Sequence, residues 1–149
     1  MAVTLNFELA NHLVLAAHGL AVEINKPITV AVVDVGGFVL AIGRMDGAHG
    51  LTPNVATAKA YTAAVMRRPT TMLKAWAESQ PMLFSQVARV GTHPLIAGGG
   101  GIPLKTGGMF IGGIGVSGAN GEEDQRVAEG ALRAAGLELD FTEWNLLRK

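Results

Sequence analysis

The sequence predicts an α+β domain, a single antiparallel sheet with helices packed on it and a profile of one domain spanning residues 1–149. Two observations carry this. Apolar, β-branched runs of strand length come in adjacent pairs joined by glycine turns, which is the pattern of hairpins and hence of antiparallel neighbours. Stretches of helical spacing stand before, between and after those pairs, so the order is helix, hairpin, helices, hairpin, helix. No internal repeat, low-complexity segment or linker interrupts it.

The first helix is expected over Asn6 to Asn25. Leu9, Leu13, Ala16, Leu20 and Ile24 form one apolar face, and Val14, His18, Ala21 and Val22 form a second. Apolar residues on two sides predict a helix lying between its own sheet and another surface, such as a second subunit. Pro27 to Arg44 reads as a hairpin with arms ITVAVVDV and FVLAIGRM and the turn DVGG, where Asp34 accepts hydrogen bonds from turn amides. Thr52-Pro53 marks the next helix start, with Thr52 as N-cap, and the helix runs to Met66. A helical stretch restarts after Pro69 with Thr70 as its cap, and 81–94 reads as loop and short helix. PLIAG, IPLK and MFIGGIGVSG are strand-like, the last two joined by the turn KTGG, so about five strands are expected. The final helix spans Asn120 to Ala135 and is ended by Gly136, leaving 137–149 as an extra tail, a strand or short helix.

Composition narrows the function. Lys+Arg and Asp+Glu both number 12, so no broad field draws this chain to nucleic acid or an acidic membrane. Aromatic residues at 5% are too few for base-stacking platforms. The absence of cysteine excludes disulfides, thiolate chemistry and cysteine-ligated zinc. Glu8 interrupts the N-terminal apolar stretch, and Asp34 with two glycines breaks the longest apolar run, so neither a signal peptide nor a membrane span is expected. The expected location is cytoplasmic. An apolar fraction of 49% is rich for a chain this small and predicts a homo-oligomer.

Gly113 to Gly118 spells GIGVSG, formally a dinucleotide fingerprint, with Glu138 and Asp140 about twenty positions on. The strand before it is the second arm of a hairpin, not the first strand of a crossover. The helix after it opens with Glu122, Glu123 and Asp124, which suit a helix dipole but repel a pyrophosphate. Asn120 and Glu123 form a capping-box pair. These glycines are therefore expected to mark bulges, or places where another backbone or a ligand comes close. The run Gly98 to Gly101 lacks the GK[ST] of a phosphate loop.

Polar groups in apolar context point to a pocket. GRMDGAHG puts Arg44, Asp46 and His49 at the end of an apolar strand, and Lys59 is the only charge between Pro53 and Met66. No serine sits in G-x-S-x-G, and no two histidines have the i, i+4 spacing of a helical zinc site. The pocket is expected where the end of the second strand, the start of the second helix and the GGGGIP turn converge. There Arg44 and Lys59 would hold an anion beside the backbone of Gly99, Gly100 and Gly101, and His49, Asp46 or Glu123 would move protons.

Several segments in order, Val30 to Gly37, Arg44 to Ala48, AKAYTAA (58–64), Pro69-Thr70, GGGIP (99–103), GGIGVSG (112–118) and the E-x-D of Glu122 to Asp124, together resemble the GlcG/HbpS-like family. That family includes the C-terminal domain of PduO-type proteins. The resemblance spans residues 5–136 and implies a profilin-like fold, homo-oligomers that are often octamers, and links to haem binding or degradation, corrinoid or diol metabolism, and glycolate-type operons. With haem as ligand, His49 and His18 are the candidate iron ligands. The chain departs from the family pattern at 82–94, which reads MLFSQVARVGTHP in place of LYGLxxTNGGR, and at Glu123, which replaces a glutamine. Two functions are therefore expected as alternatives: an oligomeric small-ligand protein binding haem or a related tetrapyrrole, or a cofactor-independent acid/base enzyme acting on a small polar or carboxylate metabolite.

Overall fold

A computed structural model describes residues 3–141. Helix α1 runs Phe7–Glu23, capped by the Asn6 side chain, which accepts from the Leu9 N–H at 2.9 Å. The first hairpin pairs β1 (Thr29–Asp34) with β2 (Val39–Arg44). Its turn is closed by the Asp34 carboxylate, which accepts from the Gly36 and Phe38 N–H groups at 2.9 and 3.1 Å. Helix α2 (Thr52–Met66) follows, then a 3₁₀ turn (Thr70–Leu73), α3 (Lys74–Ser79) and α4 (Pro81–Val87). The second hairpin is β3 (Gly101–Thr106) with β4 (Met109–Ser117), and α5 (Gly121–Ala134) closes the order.

The sheet order is β2-β1-β4-β3, antiparallel throughout. It has four strands, not about five. The PLIAG stretch forms no strand because its backbone is committed elsewhere: the Leu95 N–H donates to the Ala88 carbonyl at 3.0 Å and the Ile96 N–H to the Thr62 hydroxyl at 3.1 Å. Two expected caps also differ. Leu51 occupies the cap position of α2, while the Thr52 hydroxyl donates to the His49 carbonyl at 2.7 Å and lies 2.8 Å from the Thr29 hydroxyl of β1. Pro69 caps the 3₁₀ turn, because the Thr70 hydroxyl is engaged with Gly98 and Gly101. Residues 137–141 form neither strand nor helix, and the rest of the expected tail lies outside the described residues.

Helices α1 and α5 cover one face of the sheet. Leu13, Val14, Ala17, Val127, Ala131 and Leu132 pack there on the inward residues of all four strands. Helix α2 covers the other face through Ala56, Ala60 and Ala64 against Ala31 and Val33. The segment after α2 folds over its outer side: the Tyr61 hydroxyl accepts from the Thr92 N–H at 3.2 Å, and the Tyr61 ring meets His93 edge-on at 5.1 Å. An alanine-rich helix buried on all sides can lie unusually close to its sheet, and here it does. A Cβ at Gly115 would overlap the Ala56 carbonyl, and one at Gly113 the Ala60 carbonyl. Gly113 and Gly115 of GIGVSG thus seat a helix backbone on the strand.

Among the described residues no helix is long and apolar enough to cross a membrane. The outer flank of α1 stays apolar and open, with Phe7, Leu15 and Val22 each more than half exposed, beside the edge strand β2 with its exposed Val39 and Ile42.

Candidate functional site

An ammonium group on an alanine-rich, buried helix must find partners, because an unpaired buried charge is costly. Lys59 lies two turns into α2, and its Nζ donates to the Val116 carbonyl of β4 at 2.9 Å and to Asp124 Oδ2 at 3.1 Å. Both side chains are almost wholly buried. Asp124 sits in the first turn of α5, on the opposite face of the sheet, and its other oxygen accepts from the Ala119 N–H at 3.0 Å. The pair therefore joins the two helical layers around the end of β4. Room for it comes from Gly100, whose φ of +121° suits glycine and at which a Cβ would stand 3.0 Å from Lys59 Nζ. Burial pushes the Asp124 carboxyl above its ordinary range, against the pull of the Lys59 ammonium.

The glycine turn before β3 is held on both sides. The Thr70 hydroxyl bonds to the Gly98 carbonyl and accepts from the Gly101 N–H at 3.0 Å. Gln125 Oε1 accepts from the Gly100 N–H at 2.9 Å, while the Gln125 amide donates to Glu129 at 3.2 Å. In front of this turn opens a cleft of about 530 Å³, bounded by Thr71 and Lys74 on one wall, Gly98 and Gly99 on the floor, and Glu122 and Arg126 of α5 on the other wall.

The structure brings some sequence-predicted site residues together and separates others. Lys59, Gly100 and Gly101 meet at the junction, and a Cβ at Gly101 would lie 2.6 Å from the Lys59 carbonyl. Gly99 borders the cleft. Arg44 does not reach them. It registers with Thr29 on the edge strand β2, whereas Gly101 registers with Gly115 on the opposite edge, three strand spacings or about 14 Å away. The Arg44 guanidinium folds back onto the Ala48 carbonyl at 3.1 Å. Asp46 and His49 are exposed in the loop that follows Arg44. Glu123 belongs to the α5 capping box, accepting from the Asn120 N–H at 3.2 Å, and pairs with Lys26 at 3.2 Å. Those two contacts, the backbone N–H first, hold its carboxyl below the ordinary range.

His18 is half-buried where α1 crosses β2, its Nε2 2.9 Å from the Gly43 carbonyl. A carbonyl only accepts, so Nε2 is the donor here and Nδ1 is the ring nitrogen left for another partner. The described residues hold no group of three His, Asp or Glu side chains suited to a free metal ion.

Asp124, Gln125 and Thr70 were not among the site residues expected from the sequence. Asp124 reads there as one of three dipole-complementing acids. The signal available was the isolated Lys59, since a buried ammonium calls for a carboxylate somewhere in the chain.

The family model for "Haem degrading protein HbpS-like" matches residues 5–133. An uncharacterized 15.0 kDa protein from the dhaT-dhaS intergenic region of Citrobacter freundii is 33% identical over 129 residues, covering 87% of this chain and 90% of its own. Corrinoid adenosyltransferase PduO of the same organism is 30% identical over 136 residues; these cover 91% of this chain but only 40% of that longer protein. Among solved structures, a crystal structure of a PduOC:haem complex superposes with a TM-score of 0.81 at 30% identity, over 91% of this chain and 98% of that one.

Proposed function

The chain belongs to the HbpS-like family, and from that premise we propose that it is an oligomeric small-ligand protein whose ligand is haem or a related tetrapyrrole. The observation that supports this most directly is the likeness to the haem-bound PduOC structure over nearly the whole of both chains. Of the two candidate iron ligands, His18 has the better surroundings. Its ring is oriented by the Gly43 carbonyl, the outer-shell arrangement that leaves the other nitrogen basic enough to bind a metal. Leu15 and Val22, one turn before and after it, expose 60% and 66% of their surface and offer an apolar bed for a porphyrin face. His49 stands exposed in its loop beyond β2. Bound haem would supply an iron centre whose reactivity the axial ligand sets. The chain's own part is to present His18, keep its tautomer and shield one ring face.

Titration with haemin is expected to give a sharpened Soret band, abolished by His18→Ala and retained by His49→Ala. An unchanged spectrum for the wild type would turn the reading to the cofactor-independent enzyme. The same α1 flank predicts self-association. Light scattering at micromolar concentration should give a mass that is a multiple of 15.5 kDa, and Leu15→Glu with Val22→Glu should reduce it to that of the single chain. A wild-type monomer would refute the oligomer.

A further inference from the structure

We propose that the cleft between the 3₁₀ turn and α5 binds a small organic oxyanion, a carboxylate or a phosphate, at a site separate from the haem reading. The cleft of about 530 Å³ falls in the volume range of small-molecule sites, leaves room for solvent beside a small anion, and has no histidine in its lining. Its two walls come from elements far apart in sequence, and each contributes a cation: Lys74 from the start of α3 and Arg126 from α5. Neither cation is spent on the fold. Lys74 has only a long contact of 3.9 Å to Glu78, with both side chains about two-thirds exposed or more, a pair that contributes little. Arg126 makes no ion pair among the described residues.

The floor is fixed where a ligand needs it fixed. The Gly100 and Gly101 N–H groups are turned inward to Gln125 and Thr70, and this leaves the Gly98 and Gly99 N–H groups without a hydrogen-bond partner among the described residues, at the cleft floor. A Cβ at Gly99 would overlap the Gly121 carbonyl, so the turn sits tightly on α5 and the floor is not free to collapse into the opening. A planar guanidinium on one wall, an ammonium on the other and two backbone donors between them match the oxygen fork of a carboxylate or phosphate. Glu122, on the Arg126 wall, offsets one of the two cations. The surplus is a single positive charge, which favours singly charged ligands over multiply charged ones.

The test is an amide-resolved NMR titration of the haem-free protein, with acetate in one arm and inorganic phosphate in the other, chloride holding the ionic strength constant. Saturable shifts confined to the Gly98, Gly99 and Gly121 amides are expected in at least one arm, and the arm that saturates identifies the class. Arg126→Met and Lys74→Met should each weaken that binding at least tenfold. Arg44→Met, an equal loss of charge on the far edge of the sheet, should leave it unchanged. Linear or scattered shifts in both arms overturn the proposal, as does an equal loss in Arg126→Met and Arg44→Met. Haem plays no part in this measurement, so it can fail while the haemin titration succeeds, and the reverse.

Discussion

Lys59→Met is expected to lower the unfolding free energy by about 3–5 kcal/mol, because it leaves the Asp124 carboxylate buried with no counter-charge. The loss should depend on pH, with a definite sign. Burial already raises the Asp124 carboxyl above its unfolded value, and removing Lys59 raises it further. A group whose folded pKa is raised stabilises the fold fully below its unfolded pKa and loses that contribution as pH rises through the folded one. The deficit of Lys59→Met should therefore be small near pH 4 and grow towards pH 7. Denaturant unfolding at both values checks this, and a deficit that grows on acidification would show the opposite electrostatics. Adding Asp124→Leu removes the stranded charge, so the double variant should recover most of the single variant's loss.

Gly115→Ala is expected to be at least as damaging. The added methyl would occupy the space of the Ala56 carbonyl, and the Ala60 N–H lies 2.5 Å from its position, so α2 as a whole would have to lift from the sheet. Overpacking ordinarily costs about 1–3 kcal/mol when side chains can move aside. Here the obstacle is backbone, so a loss above ~3 kcal/mol is expected, a fall in Tm of roughly 10 °C or more for a chain of this length. Gly19→Ala is the matched control. Gly19 faces open space in the middle of α1, and alanine there should raise stability by about 0.5–1 kcal/mol through helix propensity. Thermal unfolding of the two variants side by side separates close approach from generic glycine effects.

What the sequence could show depended on the range of the interactions involved. The Asp34 turn and the Asn120–Glu123 capping box are closed within four residues, and both were legible; Asn6, expected as the first helical residue, instead caps α1. Thr52 and Thr70 have the right residue type for caps, yet their hydroxyls answer to His49 and Thr29, and to Gly98 and Gly101. Local preference lost there to tertiary partners. PLIAG has strand composition, but Thr62 and Ala88 take its amides first. The junction of Lys59 with Asp124 spans 65 positions, and no spacing rule reaches that far. Four of the segments that carried the family resemblance nevertheless meet there: AKAYTAA provides Lys59, GGGIP the glycine turn, GIGVSG the Val116 carbonyl, and E-x-D the carboxylate. Arg44, Asp46 and His49 stood out as polar groups at the end of an apolar strand, and the sheet order places them on the other edge from the cleft.

The order β2-β1-β4-β3 also has a kinetic consequence. Each hairpin closes over a short turn and can form within microseconds, independently of the other. Only the β1–β4 seam, which registers Thr29 with Ser117 and Asp34 with Gly112, requires most of the chain to be gathered in. Joining that seam is expected to be the slow step, with α2 laid on Gly113 and Gly115 as it closes. Closure entropy grows only with the logarithm of loop length, about 0.6 kcal/mol for each doubling. Residues added at the exposed break between α3 and α4, around Gln80, should therefore slow folding only slightly. Lengthening the tight turns at Gly36-Gly37 or Gly107-Gly108 should slow it far more, since that delays the hairpins from which the seam is made.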